Sequence, residues 1–262
     1  IIAGTPKRAG TFRATVKTKT AGTTSAVELE IEVLPCPAFA LGEFQGVVLD
    51  EANRVRGALA LKVSKSGALS GKLESGGQRQ SLRGAWVEGG EQARTVRLTA
   101  GRAEAMALAL TSEGAEGVTV EGWRVLARQV ASPQAAQQVA GAYTAVLHAE
   151  AADASCAPAG YGFMTYTVAS RTGSVKYGGV LADGTRVSGS AKIVAGDEAG
   201  AALFPLYKGL YARRGEVSGV VASTPDGSVV FGQGGWLNPG GSRQGSRVSF
   251  DAALDGVGAR YA

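Results

Sequence analysis

Apolar and polar residues alternate with a period of two through most of this chain, which is the spacing of half-buried strands. Leu59, Leu61 and Val63 alternate in one run, Met164, Tyr166 and Val168 in another, and Val248, Phe250 and Ala252 near the end. Such runs predict strands near 43–50, 58–65, 68–74, 79–87, 94–99, 104–111 and 117–123. A second series follows near 142–149, 162–170, 174–180, 185–194, 202–208, 215–223, 228–235 and 246–254. Ser-Gly, Asp-Gly and Gly-Gly turns separate them, the chemistry of antiparallel hairpins rather than of βαβ units. One segment breaks the pattern: Ser132 stands as an N-cap, Pro133 takes the first helical position, and an Ala/Gln run reaches Ala140, so a short helix is expected there.

The two series repeat one another. The segment 42-GEFQGVVL-49 aligns with 141-GAYTAVLH-148, placing Phe44 opposite Tyr143. In the same order, 57-GALALKVSK-65 aligns with 162-GFMTYTVAS-170, 66-SGALSGKL-73 with 172-TGSVKYGG-179, and 77-GQRQSLRGAWV-87 with 184-GTRVSGSAKIV-194. Finally 111-TSEGAEGVTVEGW-123 matches 224-TPDGSVVFGQGGW-236, setting Trp123 opposite Trp236. Five blocks in one order indicate a tandem duplication. The expected fold is therefore all-β, an antiparallel β-barrel or paired β-sandwiches built from that duplication. One barrel shared by both copies is the favoured form, because closing a sheet removes its edges. The expected units are a hairpin at 1–37, a first β repeat at 38–125, a linker with the short helix at 126–140, and a second β repeat at 141–262.

The first 37 residues stand outside the repeat. Phe12, Ala14 and Val16 alternate before a Gly turn, and Val27, Leu29, Ile31 and Val33 alternate after it, so one face of a hairpin is apolar. An isolated hairpin is marginal in water. Either it docks on the barrel, or its open edge and apolar face, carried by Phe12, Val16, Leu29 and Ile31, pair with a neighbouring chain. The stiff Pro35-Cys36-Pro37 stop favours the second, since it holds the hairpin away from the barrel. The run 4-GTPKRAGTFRATVKTKTAGTTSAVELEIEVLP-35 resembles the closing hairpin of the Ig-like or cadherin-like modules strung along large bacterial surface proteins. It is only the end of such a module, which needs about seven strands to close a core. The 39–262 block, with its Gly-x-aromatic-x-Gly-x-Val opening, is similar to duplicated β modules near the carboxyl ends of such giant secreted proteins. The resemblance implies the C-terminal part of a bacterial cell-surface or secreted protein and brings no assigned chemistry.

Composition narrows the chemistry. The chain has 262 residues, 39 of them Gly, a single His and two Cys, which leaves almost no ligand set for a transition metal. No metal and no cofactor are expected. The net charge of +5 comes from basic residues dispersed along the sequence, without the basic stripe and interleaved aromatics that nucleic acid requires, so no nucleic-acid partner is expected. No stretch is long and apolar enough for a membrane-spanning helix, and a chain starting at Ile1 reads as a processed fragment of a larger precursor. Cys36 and Cys156 are a candidate disulfide in an oxidising compartment, with two unpaired thiols as the alternative. A Ser/His/acid triad would have to use His148, which sits in an expected strand, and no G-x-S-x-G elbow exists. The acids Glu88, Glu91, Glu113, Glu116, Asp183, Asp197, Asp226 and Asp255 fall beside glycines in expected turns, which accounts for them without paired-carboxylate catalysis.

What remains are surfaces. Trp86, Trp123 and Trp236, with Tyr161 and Tyr177, are candidates for a glycan-stacking face, against which stands the tendency of repeat-related Trp residues to be core. The expected function is a non-enzymatic structural or adhesive module of an extracellular or cell-surface assembly, partnered by another protein chain. A carbohydrate-binding module that would take glycans is the alternative, and an outer-membrane β-barrel is a further one.

Overall fold

The computed structural model describes residues 9–20, 22–90, 92–151, 158, 160–241 and 248–261. Its first element is the hairpin of β1 (Gly10–Thr20) and β2 (Thr23–Val33), in unbroken antiparallel register from Gly10↔Val33 to Thr20↔Thr23. Leu34 to Pro37 run on without regular structure into a single 3-10 turn at Ala38–Ala40.

The chain then builds a first barrel as a simple meander. Its strands are β3 (Gly42–Leu49), β4 (Val55–Val63), β5 (Leu69–Ser75), β6 (Gln78–Gly89), β7 (Arg94–Ala100), β8 (Ala103–Thr111), β9 (Gly114–Thr119) and β10 (Arg124–Gln129). Each pairs antiparallel with the next, and β10 returns to β3, from Arg124↔Leu49 to Gln129↔Phe44, so no edge is left. Helix α1 (Pro133–Gln138) follows, capped as expected: the Ser132 hydroxyl accepts the Ala135 amide at 3.3 Å.

A second meander repeats the first. Its strands are β11 (Gly141–Ala151), β12 (Tyr161–Val168), β13 (Ser174–Val180), β14 (Arg186–Lys192), the short β15 (Val194–Ala195), β16 (Ala202–Leu210), β17 (Gly215–Ser223), β18 (Ser228–Asn238) and β19 (Phe250–Arg260). Here β19 pairs with β11, as β10 does with β3. Both first strands open on a glycine in a positive-φ conformation, Gly42 (112°) and Gly141 (144°), followed by a wholly buried aromatic, Phe44 or Tyr143. The second sheet is nearly closed: among the described residues β14 and β16 pack together but share no ladder. The Tyr177 hydroxyl bridges that seam by donating to the Tyr207 carbonyl at 3.3 Å.

Alternation fills both interiors with apolar side chains. Phe44, Leu59, Leu61, Leu98 and Met106 pack inside the first barrel, and Tyr143, Tyr166, Phe204, Phe231 and Trp236 inside the second. The expectation of one shared barrel is corrected, because eight strands suffice to close a sheet around a side-chain core: the first copy closes on itself and the second nearly does. The expected boundary at 125/126 also moves. The stretch Leu126–Gln129, read as the start of the linker, belongs to the closing strand β10 (Arg124–Gln129), while the strand expected at 117–123 runs earlier, at Gly114–Thr119. On the outside, the first barrel exposes Lys72, Arg83, Arg97 and Glu104. For the first barrel, an apolar interior with a charged exterior is the reverse of what a lipid-embedded barrel requires. Among the described residues no helix is long and apolar enough to cross a membrane.

Candidate functional site

The aromatic residues considered for a glycan face do not form one. Trp236 is fully buried, edge-to-face against Phe250 with ring centroids 4.8 Å apart, and its Nε1–H donates to the Tyr211 hydroxyl at 2.9 Å. Tyr177 points inward over Phe204, and burial pushes its hydroxyl up to about 12. Trp86 is half-buried against the first core and donates to the Gly67 carbonyl at 2.7 Å. Trp123 lies in the loop before β10, half-buried against the same core. Tyr161 alone of the five is exposed, with its ring tilted on His148. Inward-pointing strand positions took the large rings because each barrel needs volume to fill it. Cys36 is half-buried beside the Gly67 turn, and burial raises its thiol pKa. Cys156 lies outside the described residues, and so does the expected disulfide. Among the described residues no three His, Cys, Asp or Glu side chains group as a metal site.

The densest polar chemistry is instead where the two barrels meet, a site that no local motif marks. The outer faces of β3 and β4 lie against those of β16, β17 and β18, and β10 lies against β15. At the centre Val47, Leu49 and Val55 are buried with Leu126 and Val220 packed on them. Around that apolar patch, Arg56 holds Asp50 by Nε at 2.9 Å and Asp251 by Nη2 at 3.0 Å, with its Nη1 3.9 Å from Glu216. Arg54 adds a contact to Asp251 at 3.2 Å. The Tyr207 hydroxyl donates to Glu216 at 2.7 Å and accepts the Gly77 amide, also at 2.7 Å. Gly77 has φ 70°, and a Cβ there would stand 2.3 Å from the Arg213 carbonyl oxygen, so this turn of the first barrel reaches the second only as glycine. Ser218 donates to the Val55 carbonyl, Lys192 pairs with Glu43, and Arg128 pairs with Asp197. Beside the junction opens a crevice of about 880 Å³, lined from both barrels by Val47, Leu126, Arg128, Asp197, Val220 and Gln233.

This cluster sets three carboxylates against two guanidinium groups. Burial raises the Glu216 pKa above the ordinary carboxylate range, despite the Tyr207 hydrogen bond and Arg56. Asp50 moves the other way: burial is outweighed by the Arg54 amide and by Arg56, and its pKa is lowered. A raised acid favours the folded state most fully below its unfolded pKa and loses that contribution as pH rises through its folded value. Glu216→Gln removes this loss while keeping an acceptor for Tyr207. Urea midpoints measured from about pH 4 to pH 7 should therefore show the variant gaining on the parent as pH rises. A difference that is flat with pH, or that moves toward the parent, contradicts this reading of Glu216.

The hairpin is the other unusual feature. One face carries Phe12, Ala14, Val16, Val27, Leu29, Ile31 and Val33, and the opposite face Arg13, Lys17, Glu28, Glu30 and Glu32. Phe12, Val16, Val27 and Ile31 remain 37–58% exposed, since β1 and β2 pack on each other and make no extended contact with either barrel. The structure thus places Phe12, Val16 and Ile31 in the open, with Leu29 half-covered between them.

No family profile matches the chain, and no curated protein matches it. Among solved structures it is similar to a protein of unknown function from the DUF3598 family of Nostoc punctiforme, at 11% identity over 85% of this chain and 96% of that one, with a TM-score of 0.25. It is also similar to the vaccine antigen transferrin binding protein B of Haemophilus parasuis, at 9% identity and a TM-score of 0.23. That match covers 92% of this chain and spans 46% of the antigen's length. Likenesses this faint carry no argument about function.

Proposed function

We propose that the protein is a non-enzymatic structural or adhesive module of an extracellular or cell-surface assembly, and that its hairpin is the element that joins it to a partner chain. The observation that carries this reading is the uncovered apolar face of β1 and β2, standing clear of two barrels whose own cores are complete. A ribbon of two strands is marginal alone, so an apolar face of this size gains stability when a partner covers it. Its outer edges offer unpaired backbone groups to the same end. The barrels serve as a rigid mount: the ionic cluster and the Val47–Leu49–Val55 patch fix one against the other, and the Pro35-Cys36-Pro37 connection stiffens the hairpin's base.

Deleting residues 1–35 should leave both barrels folded, with an unchanged melting midpoint, while concentration-dependent association seen by sedimentation is lost. A deletion that lowers barrel stability would make the hairpin an intramolecular part of the fold. An intact chain that stays monomeric at high concentration would remove the assembly reading.

A further inference from the structure

The outer face of the second barrel carries an apolar row that neither core nor junction accounts for. Phe163, Val146, Val257 and Val230 stand directly opposite one another across β12, β11, β19 and β18. The row begins at Val180 on β13, and beyond Val230 it continues through Ala222 and Leu203 to Val194 on β15. Its four central members are 49–69% exposed. Its far end is already an interface: Val194 is buried and bridges Val130 at the end of the first barrel. The same row that helps seat the first barrel therefore runs on, uncovered, around the second. Single exposed apolar residues are ordinary, but a directly opposed row of this length on an otherwise polar exterior marks a contact surface.

Among the described residues one other apolar face is uncovered, the hairpin's, and the two match. Strands lie about 4.8 Å apart, so the row from Val180 to Val230 is about 19 Å long. At about 3.4 Å per residue the apolar run Val27–Val33 is about 20 Å long. A hairpin laid along the row would cross the barrel strands near a right angle, one of the two usual ways in which sheets pack face to face. The rows match in polarity as well. On one side of the apolar row lie Thr165, Thr144, Ala259 and Ser228, none of them charged, and on the other Tyr161, His148 and Asp255; the hairpin's apolar face carries no charge, so a hairpin whose second strand lies on the threonine side strands no ion. Within one chain the hairpin makes no extended contact with this row.

We infer that the apolar face of β1 and β2 in one copy docks on the Phe163–Val146–Val257–Val230 row of a second copy. The inference rests on the reading of the hairpin as the association element and adds the surface that receives it. The contact is heterologous, joining different patches on the two copies, so it propagates into chains or rings rather than closing as a two-fold dimer. A hairpin face is small against standard interfaces, so association is weak singly and strongly concentration-dependent.

Two full-length variants test this. Val146→Lys with Val257→Glu charges the row, and Phe12→Lys with Ile31→Glu charges the hairpin. In each the new charges face each other across paired strands, so the strand pairing keeps a favourable cross-strand contact, and unchanged melting midpoints verify the fold. Each variant alone should associate at least tenfold more weakly than the intact chain in sedimentation equilibrium. Their equimolar mixture should recover association but stop at dimers, because one variant supplies only a hairpin and the other only a row. A row variant that self-associates like the intact chain overturns the receiving surface while leaving the hairpin reading intact. A hairpin variant that self-associates like the intact chain, or an intact chain that is monomeric, overturns both.

Discussion

Replacing Trp236 with Ala should cost about 3–5 kcal/mol, the range of large-to-small changes in a close-packed core. The indole lies wholly inside the second barrel, edge-to-face on Phe250, and more than packing is lost with it. Its Nε1–H holds the Tyr211 hydroxyl, which in turn donates to Asp183 at 2.8 Å. Tyr211 opens a turn of three consecutive left-handed residues, Tyr211, Ala212 and Arg213, with φ of 50°, 57° and 68°. Side chains with a Cβ adopt that region at a cost, so the turn depends on tethers such as this one. Trp236→Phe should recover part of the packing and none of the hydrogen bond, and should fall between the two. Trp123→Ala, at the sequence-equivalent position but in a half-covered loop, should cost clearly less. Urea unfolding checks all three. A Trp236→Ala loss below about 0.5 kcal/mol, the size of a surface change, would contradict the core placement.

Arg56→Ala is the second large effect. Removing one partner from a mostly buried ionic cluster leaves Asp50 and Asp251 to share Arg54 and takes the Arg56 guanidinium from Glu216, for a cost of roughly 3 kcal/mol. Because Asp50 belongs to the first barrel and Asp251 and Glu216 to the second, the loss falls on the coupling between them. Denaturation that is a single transition in the parent should broaden or separate into two. Arg56→Lys should restore little, since a lysine cannot hold Asp50 and Asp251 through one planar fork. A variant that unfolds in one sharp transition at the parent's midpoint would show that the cluster does not couple the barrels.

The alternation in these strands made most of the fold legible, and the places where it failed share a cause. In β10 the outward positions are Arg124, Leu126 and Arg128, and Leu126 is apolar because it faces the second barrel. That one residue turns a polar-out strand into an ambiguous run, so the closing strand reads as linker. Strand β3 is apolar on both faces for the same reason, with Val47 and Leu49 turned to the second barrel and Phe44 and Val48 turned inward. The last block of the repeat aligns well through its turn, yet Trp123 and Trp236 part company. Strand β18 runs on to Asn238 across an irregularity between Phe231 and Gly234, whereas β9 stops at Thr119. The ionic cluster had no local signature, since Arg56 and Asp251 are 195 residues apart in sequence. The hairpin's two strands and its apolar face were legible because both follow from residues within one short segment. The row on the second barrel was not, because Phe163, Val146, Val257 and Val230 become neighbours only once the strands are paired.

The most direct test of the hairpin as the docking element is hydrogen exchange of the intact chain over a concentration series. Amides of β1 and β2 in an isolated ribbon exchange readily, and those covered by a partner do not. Protection across residues 11–18 and 26–33 should rise with protein concentration while the amides of the two barrel interiors stay unchanged. Hairpin exchange that is equally fast at every concentration, or equally slow down to the most dilute sample, would contradict the account.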